Sequence, residues 1–149
     1  MKIMEMRPPR IAMGLTLVAA VLHRSLNIWE AARFAAPRTA ILVGIAGFCL
    51  MMWPWLLFKK GNLAVCLPEK TAYILTTGPY RFSRNPMYLG MILMMLGAAL
   101  YMGTLPFYVS AAAYFMIIDS AFCPFEERKL ASSFGDEYRR YASEVRRWI

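Results

Sequence analysis

The chain contains few of the residues that build disulfide frameworks or metal sites. Its three cysteines, Cys49, Cys66 and Cys123, show neither a paired pattern nor metal-ligand spacing. Histidine occurs once, at His23, and a lone histidine at the end of an apolar run is more often a bystander than a ligand or a base. We therefore predict neither a disulfide framework nor a metal site.

Acidic residues are also scarce. There are 9 of them against 17 lysines and arginines, which gives a net charge of +8, yet 59% of the residues are hydrophobic. Apolar segments must therefore alternate with basic ones. The chain has no separate basic domain with interleaved aromatic residues, so its positive charge does not indicate a nucleic-acid-binding protein. This profile is typical of a membrane protein, whose natural partners are anionic lipid headgroups or an anionic substrate.

Four apolar segments are candidates for membrane spans. The second is the clearest, because residues 40–58 are uncharged over 19 positions and are followed by Lys59 and Lys60. The third and fourth are separated only by Gly103-Thr104-Leu105, which predicts an antiparallel helical hairpin. We predict an all-α integral membrane protein with a single membrane domain over residues 1–149. Its spans are expected at about 10–28, 40–58, 86–102 and 106–122.

The first apolar run is ambiguous, since 11–22 has 12 residues and a span needs about 20. It fits a signal peptide with a cleavage site near 18–20, or a tilted helix whose Arg10 and Arg24 reach the two interfaces. We favour the helix, because four spans put the N-terminus, the 59–85 loop and the C-terminal tail on one side of the membrane. These three segments hold three, five and six of the 17 basic residues. The positive-inside rule then predicts a multi-pass protein with both termini in the cytoplasm. We expect the membrane to be a bacterial inner membrane.

A polar, basic and turn-rich stretch, 76–90, leads directly into the third apolar segment. Gly78-Pro79 is a turn signal, and Asn85-Pro86 supplies an N-cap residue and a proline for the first helical position. The first-turn amides, the helix dipole, Arg81 and Arg84 would form a pocket for an anionic group. The alternative is a cytoplasmic loop whose arginines only anchor the membrane helix.

Acidic residues in the second half could supply the opposite charge. Asp119 is the only acid inside a clear span, so it is either a functional residue or a structural partner of Arg81 or Arg84. Glu126 and Glu127 lie where a helical first turn would favour acids in any case. The predicted topology puts them on the same side as the basic stretch. Opposed charges across one polar mouth would suit a ligand with both an ammonium and a carboxylate group.

The C-terminal segment, 124–149, is predicted to be helical and amphipathic. Apolar or aromatic residues recur from Leu130 to Trp148 at spacings of three and four. Gly135 is expected to divide the segment, with Asp136 capping the second piece. Such a segment lies on the membrane surface or folds back over the mouth of the bundle.

Two motifs occur here in a specific order. The run 77–90, TGPYRFSRNPMYLG, is followed by a hairpin, an aspartate, Glu126-Glu127-Arg128, and then 134–138 with Tyr141. Together they resemble the isoprenylcysteine carboxyl methyltransferase and phospholipid methyltransferase group of integral membrane enzymes, over about 70–149. Either motif alone would be weak.

The resemblance implies a methyltransferase that uses S-adenosylmethionine and releases S-adenosylhomocysteine. Its pocket would be formed by the loop and helix start, by the glutamate pair and by the covering C-terminal segment. Arg84 and the following amides would receive the donor's carboxylate, and Glu126 or Glu127 would take its ammonium or ribose hydroxyls. The positions implied for cofactor binding are Gly78, Pro79, Tyr80, Arg84, Asn85, Pro86, Tyr88, Leu89, Glu126 and Glu127.

The resemblance leaves the methyl acceptor open, although it implies a lipophilic one. A carboxylate acceptor needs no base, and Arg81, Arg146 or Arg147 would orient it. An amine acceptor needs a base, and Asp119 or a glutamate of the tail would serve. The candidate catalytic residues are Arg81, Arg147 and Asp119.

The sequence departs from the family pattern at Asn85, where many members have histidine; asparagine does not titrate, so we expect no proton transfer there. It is also much shorter than the eukaryotic isoprenylcysteine enzymes, so substrate identity cannot be carried over. The competing class is a small non-enzymatic four-span protein, either a transporter or an assembly factor. A cation exporter would be expected to place an acid at mid-membrane, whereas Asp119 lies near an edge.

Overall fold

The computed structural model describes residues 8–25, 35–60 and 74–149, and within these ranges the chain forms helices and turns without strands. The predicted all-α class is therefore confirmed for the described residues. The α-helices are α1 (Pro8–Ser25), α2 (Pro37–Lys60), α3 (Pro86–Met102), α4 (Leu105–Ile117), α5 (Cys123–Phe134) and α6 (Asp136–Glu144). A 3₁₀ turn, Gly78–Arg81, precedes α3, and a π-helical turn, Ile118–Phe122, joins α4 to α5.

Helix α3 begins and ends where the sequence predicts. Asn85 is its N-cap residue and Pro86 lies in its first turn, although the Asn85 side chain makes no capping hydrogen bond. Gly103 ends the helix with φ 68°, a left-handed conformation that glycine adopts without a Cβ penalty. Its N–H donates to the carbonyl of Ala99, and α4 follows to pack against α3, so the predicted hairpin is confirmed.

Helices α2 and α3 approach each other backbone to backbone. A Cβ built on Gly47 would lie 2.7 Å from the carbonyl oxygen of Gly90, and one built on Gly90 would lie 2.7 Å from that of Gly47. One turn earlier in α2, the Cα of Gly44 would lie 3.0 Å from a Cβ built on Gly97. The glycines of α2 therefore let α3 approach closely, and this contact fixes the start of α3 against α2.

The number of spans differs from the prediction. Among the described residues, Pro37–Leu57 and Leu105–Phe134 are long and apolar enough to cross a membrane. Helix α3 is apolar but has 17 residues, and the 18 residues of α1 include Arg10, His23 and Arg24. The end of the predicted first span, 26–28, and most of the loop before the basic stretch, 61–73, lie outside the described residues.

The C-terminal segment is helical and is divided at Gly135, as predicted. Gly135 has φ 53° and precedes the first residue of α6. The predicted capping role of Asp136 is wrong, because the glycine itself occupies the N-cap position. Asp136 is the first helical residue, and its carboxylate pairs instead with Arg139, 3.1 Å away on the exposed face.

The best-buried part of the molecule lies between α3 and the α4–α5 rod. Tyr114 and Ile118 have no exposed surface, and the Tyr114 hydroxyl donates to the sulfur of Met91 at 3.1 Å. Trp148, near the C-terminus, packs against the same core. The chain end is therefore tied to the bundle beside the π-helical turn.

Candidate functional site

Arg84 and Glu127 form an ion pair between the basic stretch and the glutamate pair. Arg84 Nη2 lies 3.4 Å from Glu127 Oε1, and the two side chains are only 17% and 19% exposed. The Arg84 N–H donates to the carbonyl of Arg146 at 3.0 Å, and Nη1 donates to the Tyr138 hydroxyl at 3.5 Å. The two polar blocks that the sequence predicted to face one another therefore meet.

Arg147 binds the same glutamate from the other side. Its Nε and Nη2 donate to the two oxygens of Glu127 at 2.9 and 2.7 Å, which is the bidentate geometry that arginine favours. These hydrogen bonds raise the pKa of Arg147 above its ordinary value, so its charge is fixed at every physiological pH. Glu127 thus has both carboxylate oxygens engaged by the tail.

Asp119 lies on the π-helical turn and pairs with the tail rather than with the basic stretch. Its Oδ1 accepts from Arg147 Nη1 at 3.1 Å and from Trp148 Nε1 at 2.9 Å. The predicted structural partners, Arg81 and Arg84, are wrong, because the returning C-terminus takes that place. Arg81 ends the 3₁₀ turn with an exposed side chain, and within the described ranges no hydrogen bond or ion pair joins it to this cluster.

Glu126 has a different environment from its neighbour. The Tyr88 hydroxyl, in the first turn of α3, donates to Glu126 Oε1 at 2.5 Å. The adjacent glutamates are therefore held by different chemistry, one by a phenol and the other by two guanidinium groups. Tyr88 and Glu126, both predicted to contact the cofactor, contact each other.

The main chain of the tail completes the cluster. The Arg147 carbonyl accepts from the Ser83 hydroxyl at 3.1 Å and from Asn85 Nδ2 at 3.4 Å, and both polar side chains are buried. Arg146 contributes its carbonyl, while its side chain is exposed. Sequence reasoning missed Ser83 and Trp148, since their types and spacing carry no functional signal. Ser83 lies inside the motif run 77–90, and that position was the one available clue.

The turn before α3 is fixed against its neighbours. Gly78 has φ 64°, and a Cβ there would lie 2.9 Å from the Leu57 side chain of α2. The Tyr141 hydroxyl donates to the Tyr80 carbonyl at 2.8 Å, and burial raises the pKa of Tyr141 to about 12.

The remaining predicted cofactor residues hold this local structure. Pro79 is buried, and its carbonyl accepts from the N–H groups of Phe82 and Ser83. Pro86 is buried in the first turn of α3, and the Leu89 N–H donates to the Asn85 carbonyl. The contacts of these residues stabilise the 3₁₀ turn and the first turn of α3.

The cluster has the charges that a zwitterionic amino-acid group requires. Arg84 can receive a carboxylate, and its buried Nε has no hydrogen-bond partner among the described residues. Glu127 can receive an ammonium group once Arg147 releases an oxygen. The side chains present therefore fit the amino-acid end of S-adenosylmethionine.

Comparison with known proteins adds a family match. The family model described as phospholipid methyltransferase matches residues 38–137, from the start of α2 to the start of α6. An uncharacterized protein of Haemophilus influenzae is 38% identical over 63 residues, which are 42% of this chain and 100% of that protein. No solved structure matches significantly. The matched range contains Arg84, Asp119 and both glutamates, whereas Arg147 and Trp148 lie beyond it.

Proposed function

Because this chain belongs to the phospholipid methyltransferase family, we propose that it transfers a methyl group from S-adenosylmethionine to a lipophilic acceptor at the cytoplasmic face of a membrane. The observation that carries the proposal is the meeting of Arg84 with Glu127. A guanidinium and a carboxylate side by side, both largely buried, are complementary to the amino-acid group of the donor.

The residues of this chain mainly bind and orient. Arg84 holds the donor's carboxylate, and Glu127 holds its ammonium. When bound, S-adenosylmethionine supplies an electrophilic sulfonium methyl group, so the protein needs no covalent nucleophile of its own. The covering tail and the apolar bundle keep water from the reacting groups.

An amine is the acceptor that the contacts favour. Amine methylation must release a proton, and this requires a base within reach. Asp119 and Glu127 are both engaged by the Arg147 guanidinium, whereas Glu126 accepts from the neutral Tyr88 hydroxyl. We therefore assign the base to Glu126. A carboxylate acceptor would instead need an arginine, and both Arg84 and Arg147 are already paired with Glu127.

The proposed topology keeps four helices in the membrane. Helix α3 packs backbone to backbone on α2, so it lies at the same depth as the apolar span that α2 provides. Helix α1 packs against α4 and is therefore also part of the helical bundle. With both termini and the basic stretch in the cytoplasm, the charges obey the positive-inside rule, and a water-soluble donor reaches the site directly.

Calorimetry of the detergent-solubilised protein with S-adenosylhomocysteine tests the proposal. We expect about micromolar affinity that weakens at least about tenfold in Arg84→Ala and Glu127→Ala. Glu137→Gln removes an exposed carboxylate of α6 and serves as the matched control, with unchanged affinity. Folded wild-type protein that shows no binding would contradict the proposal and favour the non-enzymatic class.

A further inference from the structure

Arg147 is shared between carboxylates on two different elements. Its Nε and Nη2 donate to the two carboxylate oxygens of Glu127 on α5, at 2.9 and 2.7 Å. Its remaining terminal nitrogen, Nη1, reaches Asp119 Oδ1 at 3.1 Å. One tail cation therefore holds the glutamate of the candidate site and an aspartate outside it at the same time.

The π-helical turn is what brings Asp119 to the tail. In this turn the Cys123 N–H bonds to the Ile118 carbonyl, five residues earlier, instead of four. The Asp119 carbonyl accepts from Arg147 Nη1 at 3.4 Å in addition to the contact with its side chain. The main-chain carbonyl oxygen and the side-chain Oδ1 of Asp119 thus both accept from the Arg147 guanidinium. Turns of π-helix inside α-helices often mark functional positions.

Trp148 fixes the other side of this contact. Its indole N–H donates to the same Asp119 oxygen at 2.9 Å, and its ring lies 5.3 Å from that of Phe115 on α4. The anchoring of the tail at Asp119 therefore does not depend on Glu127. Arg147 can leave Glu127 and still be held.

The charges balance only if Asp119 takes part. In the ligand-free cluster, Arg84 and Arg147 face Asp119 and Glu127, two cations against two anions. A zwitterion adds one charge of each sign, its carboxylate facing Arg84 and its ammonium facing Glu127. Arg147 then has Asp119 as its partner, and every charge is paired. Without Asp119, the bound state would leave a partly buried guanidinium uncompensated, which is costly.

We propose that Asp119 is a positioning residue that retains Arg147, and with it the tail, when the ammonium group of the methyl donor replaces Arg147 at Glu127. This inference rests on the proposed function, because the incoming ligand is the donor. It assigns to Asp119 no contact with donor or acceptor. The tail stays closed over the site through the exchange.

A double-mutant cycle with S-adenosylhomocysteine as the probe tests the exchange in the full chain. We expect Asp119→Asn to weaken binding about tenfold, since Arg147 then has no carboxylate in the bound state. Arg147→Gln should bind no more weakly than the wild type, and adding Asp119→Asn to it should cost less than about twofold. If the Asp119–Arg147 pair only held the tail in place, Arg147→Gln would itself weaken binding. If Asp119 did not act through Arg147, Asp119→Asn would cost the same in both backgrounds. Either result would overturn the inference.

A second measurement uses the wild type and does not depend on the folding of any variant. Carboxypeptidase digestion, followed by intact mass, reports whether the chain is trimmed past Trp148. We expect the tail to stay protected when the protein is saturated with S-adenosylhomocysteine. Trimming that begins on saturation would overturn the inference while leaving the proposed function intact. Wild-type protein that does not bind the probe would overturn the proposed function, and this inference with it.

Discussion

The Tyr88 hydroxyl donates to Glu126 across the gap between the first turn of α3 and α5, at 2.5 Å. This contact joins the start of α3, which follows Arg84 and Asn85 directly, to α5, which carries Glu127. Because a partly buried carboxylate oxygen left without a donor is costly, we expect Tyr88→Phe to lower the free energy of unfolding by about 1–3 kcal/mol. Denaturation of Tyr88→Phe, Glu126→Gln and the double variant measures this, and strictly additive costs would mean that the pair does not interact.

The adjacent glutamates should separate in function. We expect Glu127→Gln to lose affinity for S-adenosylhomocysteine, because its negative charge faces the donor's ammonium. Glu126→Gln should keep that affinity within about threefold and lose methyl transfer to an amine acceptor, because an amide accepts no proton. Calorimetry and transfer of labelled methyl, measured on the same preparations, separate the two effects. Equal loss of binding in both variants would contradict the assignment.

The two glycines of α2 provide a matched pair for testing the helix contact. A Cβ on Gly47 would lie 2.7 Å from the Gly90 carbonyl, whereas one on Gly44 has open space around it. We expect Gly47→Ala to lower stability by about 1–3 kcal/mol through overpacking. Gly44→Ala should be neutral or stabilising by up to about 1 kcal/mol, since alanine is the better helix former. Equal unfolding temperatures for the two variants would contradict the close approach.

Tyr141 should make the fold sensitive to alkali. Burial raises its pKa from 10.0 to about 12, with Tyr138 adding to the shift and Arg84 opposing it. The folded protein holds the phenol proton more tightly than the unfolded chain does. This contribution to stability is therefore present below pH 10 and is lost as the pH rises toward 12.

Thermal unfolding as a function of pH tests this contribution. We expect the unfolding temperature of the wild type to fall more steeply between pH 10 and 12 than that of Tyr141→Phe, which has no proton to lose. Tyr101→Phe removes an exposed tyrosine and should follow the wild type. Parallel curves for Tyr141→Phe and the wild type would show that the buried hydroxyl does not contribute.

Local signals in the sequence predicted the parts of the fold that local chemistry decides. Asn85-Pro86 marks the start of α3 and Gly103 its end, because a proline in the first helical turn and a left-handed glycine act through their own backbone conformation. Gly135 divides the C-terminal helices, but it also takes the N-cap position that we predicted for Asp136. A glycine with positive φ can end one helix and begin the next, and residue type alone does not distinguish the two arrangements.

The site was predicted only in outline. Topology and the family resemblance placed Arg84 near Glu127, and the contact is present. The pairing of Asp119 with Arg147 was missed, because it depends on a π-helical turn and on the return of the chain end, and neither has a local sequence signal. The burial of Ser83 against the Arg147 carbonyl was missed for the same reason.

Transfer of isotope-labelled methyl from S-adenosylmethionine into membrane lipid tests the central claim most directly. The protein is reconstituted in vesicles that contain phosphatidylethanolamine, and the lipids are extracted and analysed by mass spectrometry. We expect label on the headgroup amine with wild-type protein and much less with Glu127→Gln at the same limiting donor concentration. If folded wild-type protein neither binds the donor nor labels any component of a total lipid and membrane-protein extract, the chain does not act as a methyltransferase at the Arg84–Glu127 site.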